Sequence, residues 1–321
     1  MTFFQIISKV TGKLTVAIPV AMLAGFGYGA LLPSGWLQWL ILPLTFLMVY
    51  PMMVNLKVSS ILDGGDTRAQ GLALAVNFGV IPFIAFGIGL LFFSDQPYLA
   101  LGLLLAALLP TSGMTISWTG FAKGNVPAAI KMTVLGLILG SLATPIYVNW
   151  LMGASVPVDM VAVFRQIAVI VLLPLIAGQL TQAYLRKRHG QERYQKEWAP
   201  RFPPFSSLGV LGIVFVAMAL KADDLIAEPG KLLIVIVPVL LLYVVNYALS
   251  TGLARWLLTP GDGIALVYGT VMRNLSIALA LSMNAFGEAG ADAALVIAVG
   301  YIIQVQSAAW YVKLTDRLFP R

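Results

Sequence analysis

Long apolar runs, separated by short polar connections, recur along the whole of this 321-residue chain. A run of about 20 apolar residues can cross the hydrocarbon core of a bilayer as an α-helix. Only 10% of the residues are charged, whereas soluble domains carry about 25%. Because backbone groups in lipid must be satisfied within the segment itself, the chain is predicted to be an all-α integral membrane protein.

Ten runs are predicted to be transmembrane helices of a single transmembrane domain that occupies residues 1–321. The runs lie at 14–32, 36–54, 70–93, 98–120, 126–150, 162–185, 206–221, 231–258, 262–287 and 290–313. Five fall in each half of the chain, at about 14–150 and about 162–314. The basic segment 186–203, between the sixth and seventh runs, is predicted to be a cytoplasmic linker loop.

Similar segments at corresponding places in the two halves indicate an internal repeat. Phe121-Ala-Lys-Gly-Asn-Val-Pro-Ala-Ala-Ile130, after the fourth run, resembles Phe286-Gly-Glu-Ala-Gly-Ala-Asp-Ala-Ala-Leu295, at the end of the ninth. With five spans per half, the second half enters the membrane in the opposite orientation, so the repeat is predicted to be inverted. Chance similarity between apolar helices is the alternative, since membrane segments draw on few residue types.

The positions of the positive charges predict how the chain is oriented. Of the 20 Lys and Arg residues, two are assigned to the interior of runs and three, Arg165, Lys221 and Lys231, to run ends on one side. The remaining 15 therefore lie on the other side, which is predicted to be the cytoplasm. Both termini are then cytoplasmic, in a plasma or inner membrane. This pattern also assigns the net charge of +7 to membrane orientation rather than to nucleic-acid binding.

Two runs contain residues that do not suit a continuous transmembrane helix. In the fourth, Pro110 removes a helix hydrogen bond and Gly113 allows unwinding. In the ninth, Arg273-Asn274 places a charge about halfway along the run. Broken helices in corresponding halves mark the substrate site of many secondary transporters, because freed carbonyls and helix ends can bind a ligand. The alternative for Pro110 is a plain proline kink.

These runs are therefore predicted to be broken, crossing helices that hold a small anionic or oxygen-rich substrate. The predicted substrate-binding residues are Arg273, Asn274, Thr111, Ser112, Thr115 and Ser276, with Asn77, Asn246, Trp118 and Gln304 in a second rank. Interhelical hydrogen bonding is the alternative role for the amides.

Arg273 and Lys131 are the two charged residues within runs. A guanidinium at the middle of the membrane is costly, so Arg273 must meet acceptors or an anion. Its planar fork suits an oxyanion substrate, but it can equally act as a structural plug that donates to carbonyls freed at the breaks. Lys131 lies near the start of its run and is predicted to extend its amine to the cytoplasmic face.

Several classes of site are excluded by the composition. Cysteine is absent and there is one histidine, His189, so disulfides, thiolate chemistry and a histidine metal centre are not expected. Every Asp and Glu falls in a connection or at the end of a run, which leaves no intramembrane carboxylate for a proton relay or a typical sodium site. No cofactor is predicted. The coupling ion is left open, with sodium possible but its carboxylate ligand missing, and so is the oligomeric state.

The chain resembles the bile acid:sodium symporter superfamily, and within it the arsenical-resistance permeases. The second span of that branch ends in a Tyr-Pro turn, similar to Tyr50-Pro51 here. Its fourth span carries Pro-Cys-x-x-Met-x-x-x-Trp, and Pro110, Met114 and Trp118 are in register with it. The resemblance implies ten spans, inverted repeats and broken crossing helices four and nine.

The chain departs from both branches at the implied ligand positions. Thr111 takes the place of the motif's cysteine, a natural arsenic ligand. The ninth-span pattern Asn-x-x-Glu-Leu-Ala becomes Asn274-Leu-Ser-Ile-Ala278, without the glutamate. The sodium-symporter pattern Glu-x-x-x-Gln-Asn has Gly269 for Glu and Arg273 for Gln.

The predicted function is secondary transport by alternating access, rather than catalysis. Export of arsenite or a related metalloid oxyanion is the first expectation from the resemblance. A sodium-coupled or sodium-independent symporter of a small organic anion is the alternative, and a membrane sensor or enzyme is a minor one. Arg273 is further hypothesised to stand in for a bound cation, which predicts transport that does not depend on sodium.

Overall fold

A computed structural model of the protein describes residues 14–59, 65–156, 159–227 and 230–320. Within these ranges all regular elements are helices, apart from one isolated backbone bridge. The α-helices are α1 Leu14–Leu31, α2 Ile41–Val54, α3 Thr67–Gly79, α4 Ile81–Phe92, α5 Pro97–Leu108, α6 Gly113–Phe121, α7 Val126–Met152, α8 Met160–Ile167, α9 Leu173–His189, α10 Phe202–Leu220, α11 Ala222–Ala227, α12 Lys231–Leu257, α13 Pro260–Val271, α14 Leu275–Ala285 and α15 Gly290–Leu318. The 3₁₀ segments are Gly35–Leu40, Ala199–Arg201 and Gly287–Ala289, and a π-turn at Ala168–Leu172 joins α8 to α9.

The described residues include seven helical segments that are long and apolar enough to cross a membrane. They are Gly35–Val54, Thr67–Phe92, Val126–Met152, Val161–His189, Gln191–Leu220, Leu233–Leu257 and Gly290–Leu318. Three shorter apolar helices, Val16–Leu31, Pro97–Leu108 and Leu275–Ala285, lie in the first, fourth and ninth predicted runs. The all-α architecture is confirmed and is consistent with a multi-pass membrane protein, while the ten-span count and the inverted repeat stay predictions.

The kink between α3 and α4 has a specific cause in the sequence. Pro82 has no N–H and cannot donate to the carbonyl of Phe78 four residues earlier. The hydroxyl of Tyr147, on α7, donates to that carbonyl at 2.6 Å instead. The predicted third span is therefore two helices held against α7 at their junction.

Two groups of helices pack separately and meet at α14 and α15. The panel consists of α1, α2, α9 and α10, with α10 packed on α1 and α2. Gly25 and Gly29 allow α1 to lie directly on the backbone of α10. The core consists of α3 to α7 and α12 to α15, and α15 contacts both α1 and α10 of the panel. A space between the two groups is thus bounded by α14 and α15.

One prediction about a charged segment is wrong. The segment 186–203 is not a loop, because α9 continues to His189 and helical turns follow at Gln191–Arg193 and Tyr194–Trp198. Its amphipathic turns carry the exposed ion pairs Arg193–Glu197 and Lys196–Glu192, which suit a helix at i, i+4 spacing.

Lys131 has an acidic partner at the end of a neighbouring helix, and the extension of its amine to the cytoplasmic face stays a prediction. Its side chain is buried, and its Nζ lies 3.3 Å from Asp66 Oδ2 at the start of α3. A carboxylate supplied by a neighbouring segment makes burial less costly, provided both charges stay paired. Lys9, Lys13 and Arg321, which enter the orientation argument, lie outside the described residues.

Candidate transport site at two helix breaks

The first break separates α5 from α6. Pro110 follows the end of α5, and Ser112 caps α6 by accepting a hydrogen bond from the backbone N–H of Met114 at 3.3 Å. Thr115 Oγ1 accepts in return from the N–H of Ser112 at 3.2 Å. These bonds satisfy donors that a helix start otherwise leaves open.

Thr111 adopts a left-handed backbone conformation with φ of 64°, which is unusual for a β-branched residue. Its Oγ1 lies 2.6 Å from the carbonyl oxygen of Pro110 and 3.2 Å from that of Thr133. Gly136 of α7 faces this hydroxyl, and any Cβ there would collide with it. Thr111 is therefore directed into α7 and closes the break on that side.

The second break separates α13 from α14 and mirrors the first in its chemistry. Asn274 caps α14 by accepting from the N–H of Ile277 at 3.3 Å. Its own N–H donates to the carbonyl of Leu109 at 2.7 Å. Pro110 and Arg273 form an isolated antiparallel bridge. The two breaks thus meet, and each supplies backbone partners that the other lacks.

Arg273 is 3% exposed and is held by neutral oxygens. Its Nη1 donates to Asn77 Oδ1 at 2.9 Å and to the carbonyl of Ala107 at 3.1 Å. The Nη2 atom has no hydrogen-bond partner among the described residues. One terminal nitrogen of the guanidinium therefore binds Asn77 and the end of α5, and the other terminal nitrogen remains available to donate.

Gln304 of α15 fixes the backbone at the second break. Its Oε1 accepts from the Arg273 N–H at 2.7 Å, and its Nε2 donates to the Arg273 carbonyl at 3.2 Å. Tyr243 donates its hydroxyl to the same Oε1 at 2.8 Å. One side chain thus replaces the two backbone partners that a continuous helix would provide.

Asn77 and Asn246 both serve the end of α13. Asn77 donates to the carbonyl of Gly269, and Asn246 donates to the carbonyl of Thr270, each at 2.9 Å. Carbonyls in the last turn of a helix have no partner of their own. The two asparagines come from α3 and α12, so helices of both halves of the chain support the same break.

A cavity of about 450 Å³ lies where the breaks face the panel. The panel side comes from the end of α2 and the start of α10, and the core side from α6, α7, α14 and α15. The lining residues are Pro51, Met52, Asn55, Leu56, Lys57, Ser112, Gly113, Met114, Ile116, Ser117, Ile130, Thr133, Val134, Pro203, Ser206, Ser207, Val210, Ser276 and Tyr301. Lys57 and Ser117 are exposed whereas Val210 and Tyr301 are buried or nearly so, so the cavity opens on the side of the 186–203 segment.

Among the predicted site residues, Ser112, Gly113 and Ser276 line this cavity. The others do not: Arg273 and Asn246 border a separate void of about 10 Å³, the size of a single water. Trp118 packs edge-on against Phe121, with ring centroids 5.5 Å apart. The structure therefore divides the predicted set into a hydroxyl-bearing wall and a buried arginine–amide cluster behind it.

Four hydroxyl residues of the cavity were not predicted. Ser206 and Ser207 start α10, Thr133 lies in α7, and Tyr301 of α15 hydrogen-bonds Ser276. The adjacent serines of the seventh run could have been recognised as candidate site residues, because two neighbouring hydroxyls in an apolar run need hydrogen-bond partners. They escape a search for helix breaks because they do not interrupt the apolar pattern.

A sequence profile described as the Sodium Bile acid symporter family matches residues 36–228 of the chain. This covers more than half of the protein, including the first break and the start of α10.

The chain belongs to the sodium bile acid symporter family.

Similar proteins include members named for different substrates. "Arsenical-resistance protein Acr3" of Alkaliphilus metalliredigens is 24% identical over 331 residues, covering 95% of this chain and 91% of that protein. The protein of the same name from Corynebacterium glutamicum is 22% identical, over 80% of this chain and 73% of its own length. "Sodium/bile acid cotransporter 7" of Mus musculus is 26% identical, over 53% of this chain and 50% of its own. The resemblance drawn from the motifs is confirmed, and secondary transport is the activity that these relatives support.

Proposed function

We propose that this chain exports a small oxygen-rich solute, with arsenite or a related metalloid hydroxide as the first candidate, by alternating access of the cavity described above. The cavity between panel and core, which has seven hydroxyl-bearing residues in a largely apolar lining, carries the proposal. Hydroxyls both donate and accept, and so does a metalloid hydroxide. The thioethers of Met52 and Met114 also line the cavity and offer soft donors of the kind that soft metal centres prefer.

A small organic anion is the second candidate, and two observations favour it. The cavity of about 450 Å³ is many times the roughly 10–15 Å³ that holds one water, so it has room for a substrate larger than arsenite. Lys57 supplies positive charge among the described lining residues. The chain has no cysteine, so a thiolate does not favour arsenic over a carboxylate.

Transport is proposed to proceed without sodium. Arg273 donates to an amide oxygen and to a helix-end carbonyl, which are oxygens of the kind that bind hard cations. A guanidinium there repels a second positive ion. The described residues contain no group of three or more His, Cys, Asp or Glu that could hold a metal ion.

Substrate flux into proteoliposomes tests the function and the coupling separately. We expect uptake of arsenite, antimonite or a small carboxylate against an empty-liposome control, and the same rate with or without a sodium gradient. Stimulation by sodium of several fold would contradict the proposed coupling alone. No flux of any compound in the panel would contradict the substrate proposal.

Ser276→Ala tests whether the cavity is the substrate path. Ser276 lines the cavity, whereas Ser282 of the same helix bonds the carbonyl of Leu279 at 2.9 Å and does not line it. Loss of one hydrogen bond to substrate is worth about 0.5–1.5 kcal/mol. We therefore expect Ser276→Ala to raise the substrate concentration at half-maximal flux about 2- to 10-fold and Ser282→Ala to leave it unchanged. If the two variants change half-maximal flux equally, the cavity is not part of the substrate path.

A further inference from the structure

A shallow groove of about 390 Å³ lies on the surface between α12 and α15, apart from the transport cavity. Its lining residues are Tyr247, Ala248, Thr251, Gly252, Arg255 and Tyr311, and the transport cavity shares none of them. The groove therefore has no part in the proposed substrate path.

The floor of the groove is held in place by contacts between the two helices. The rings of Tyr247 and Tyr311 lie 4.7 Å apart at an angle of 31°. The hydroxyls of Thr251 and Tyr311 are hydrogen-bonded at 2.6 Å. Gly252 leaves the groove open on the α12 side, since a Cβ there would meet nothing within 4 Å. The groove is therefore preformed and has an aromatic wall.

The mouth of the groove carries a positive charge near the end of α12, where the sequence predicts that the chain leaves the membrane. Arg255 is exposed, lies two residues before the end of α12, and has no ion pair within the described ranges. Trp256 beside it is 81% exposed, as is common where a helix leaves the hydrocarbon. Eight residues separate Arg255 from Tyr247, which is about 12 Å along a helix. With α12 as a predicted transmembrane helix, the groove then extends from headgroup level into the acyl-chain region.

We propose that this groove binds one anionic glycerophospholipid. The guanidinium of Arg255 matches a phosphate with two parallel N–H donors. An acyl chain then follows Gly252, Ala248 and Tyr247 into the membrane. No acidic residue lines the groove, so the charge of Arg255 favours an anionic over a zwitterionic headgroup. By the predicted orientation the groove faces the cytoplasmic leaflet, where anionic lipids concentrate.

Native mass spectrometry and thermal unfolding of the purified full chain in detergent test the proposal. We expect added phosphatidylglycerol to bind as one retained molecule and to raise the midpoint of unfolding, and phosphatidylcholine to do neither. Arg255→Gln is expected to weaken phosphatidylglycerol binding about fivefold, the effect of one basic residue at a membrane surface. Arg317→Gln, an exposed arginine of α15 outside the groove, is the charge-matched control.

Gly252→Leu separates the groove from the charge. The larger side chain has room and improves helix propensity, so the variant is expected to fold. Its side chain would fill the groove, and we expect selective retention of phosphatidylglycerol to be lost. If both Gly252→Leu and Arg255→Gln retain phosphatidylglycerol as the parent does, the proposal is overturned. Equal retention of phosphatidylcholine would also overturn it, as would a dimer that Gly252→Leu dissociates, since a second copy would then be the occupant.

Discussion

At the residue scale, the cluster around Arg273 shows how a charge is accommodated far from water. Its guanidinium donates to neutral oxygens of Asn77 and Ala107. Its backbone carbonyl accepts from the side-chain amide of Gln304. Both interpretations of Arg273 assumed that it lies at the helix breaks, and it does. The carbonyl of Ala107 is the kind of partner expected of a structural plug, and Asn77 adds an amide oxygen from α3.

Gln304→Leu is expected to destabilise the protein by about 3–9 kcal/mol, because it leaves the backbone N–H and carbonyl of Arg273 and the hydroxyl of Tyr243 without a partner at about 1–3 kcal/mol each. Gln306→Leu is the control, since Gln306 is exposed on the same helix. Unfolding in detergent measures both. A similar midpoint for the two variants would show that Gln304 does not support the break.

At the scale of elements, the distance between two packed helices depends on whether a glycine lies at their interface. Gly102 of α5 lies on α15, and a Cβ there would come within 2.6 Å of the Ala293 carbonyl oxygen and 2.7 Å of its Cα. Gly71 of α3 faces open space, with nothing within 4 Å. The same residue type thus sets interhelical spacing in one helix and has no packing role in another.

Gly102→Ala is expected to lower the free energy of unfolding by about 1–3 kcal/mol, the usual cost of overpacking a core, because backbone atoms cannot move aside as a flexible side chain can. Gly71→Ala is expected to raise it by about 0.5–1 kcal/mol, because alanine loses less backbone entropy than glycine when the helix folds. Thermal unfolding of the two variants beside the parent provides the check. A destabilised Gly71→Ala would contradict the assignment of an open face.

At the scale of the whole molecule, the two ends of α10 differ. Its first turns line the cavity, which is open. At its other end, 18 residues and about 27 Å away, Lys221 pairs with Asp224 at 2.9 Å and with Asp292, at the start of α15, at 3.2 Å. The second pair joins panel to core. Closure at one end while the other is open is the arrangement that alternating access requires.

Lys221→Met is therefore expected to shift the population away from the cavity-open state. Because the chain has no cysteine, Ser207→Cys places a unique thiol in the cavity, and its rate of labelling reports access. Lys221 and Asp292 are only 14% and 20% exposed, so their pair is worth at least the about 0.2–1 kcal/mol of an exposed pair, and labelling is expected to slow several fold. Lys196→Met, which breaks an exposed pair within one segment, is expected to have no effect; equal slowing in both variants would contradict the gate.

The membrane class, the positions of both helix breaks and the family follow from the sequence by itself. Hydrophobic transfer, the missing N–H of Pro110 and the cost of a charge at Arg273 act locally, so they can be recognised without knowing what packs nearby. The side that each polar group faces was decided only by the tertiary structure. Ser276 lines the cavity while Arg273, three residues earlier, lies behind it, because the turn of the chain at the cap sends neighbouring side chains in opposite directions. The cavity itself is assembled from distant helices such as α2, α7 and α10, and helix rotation and packing leave no mark in an apolar run.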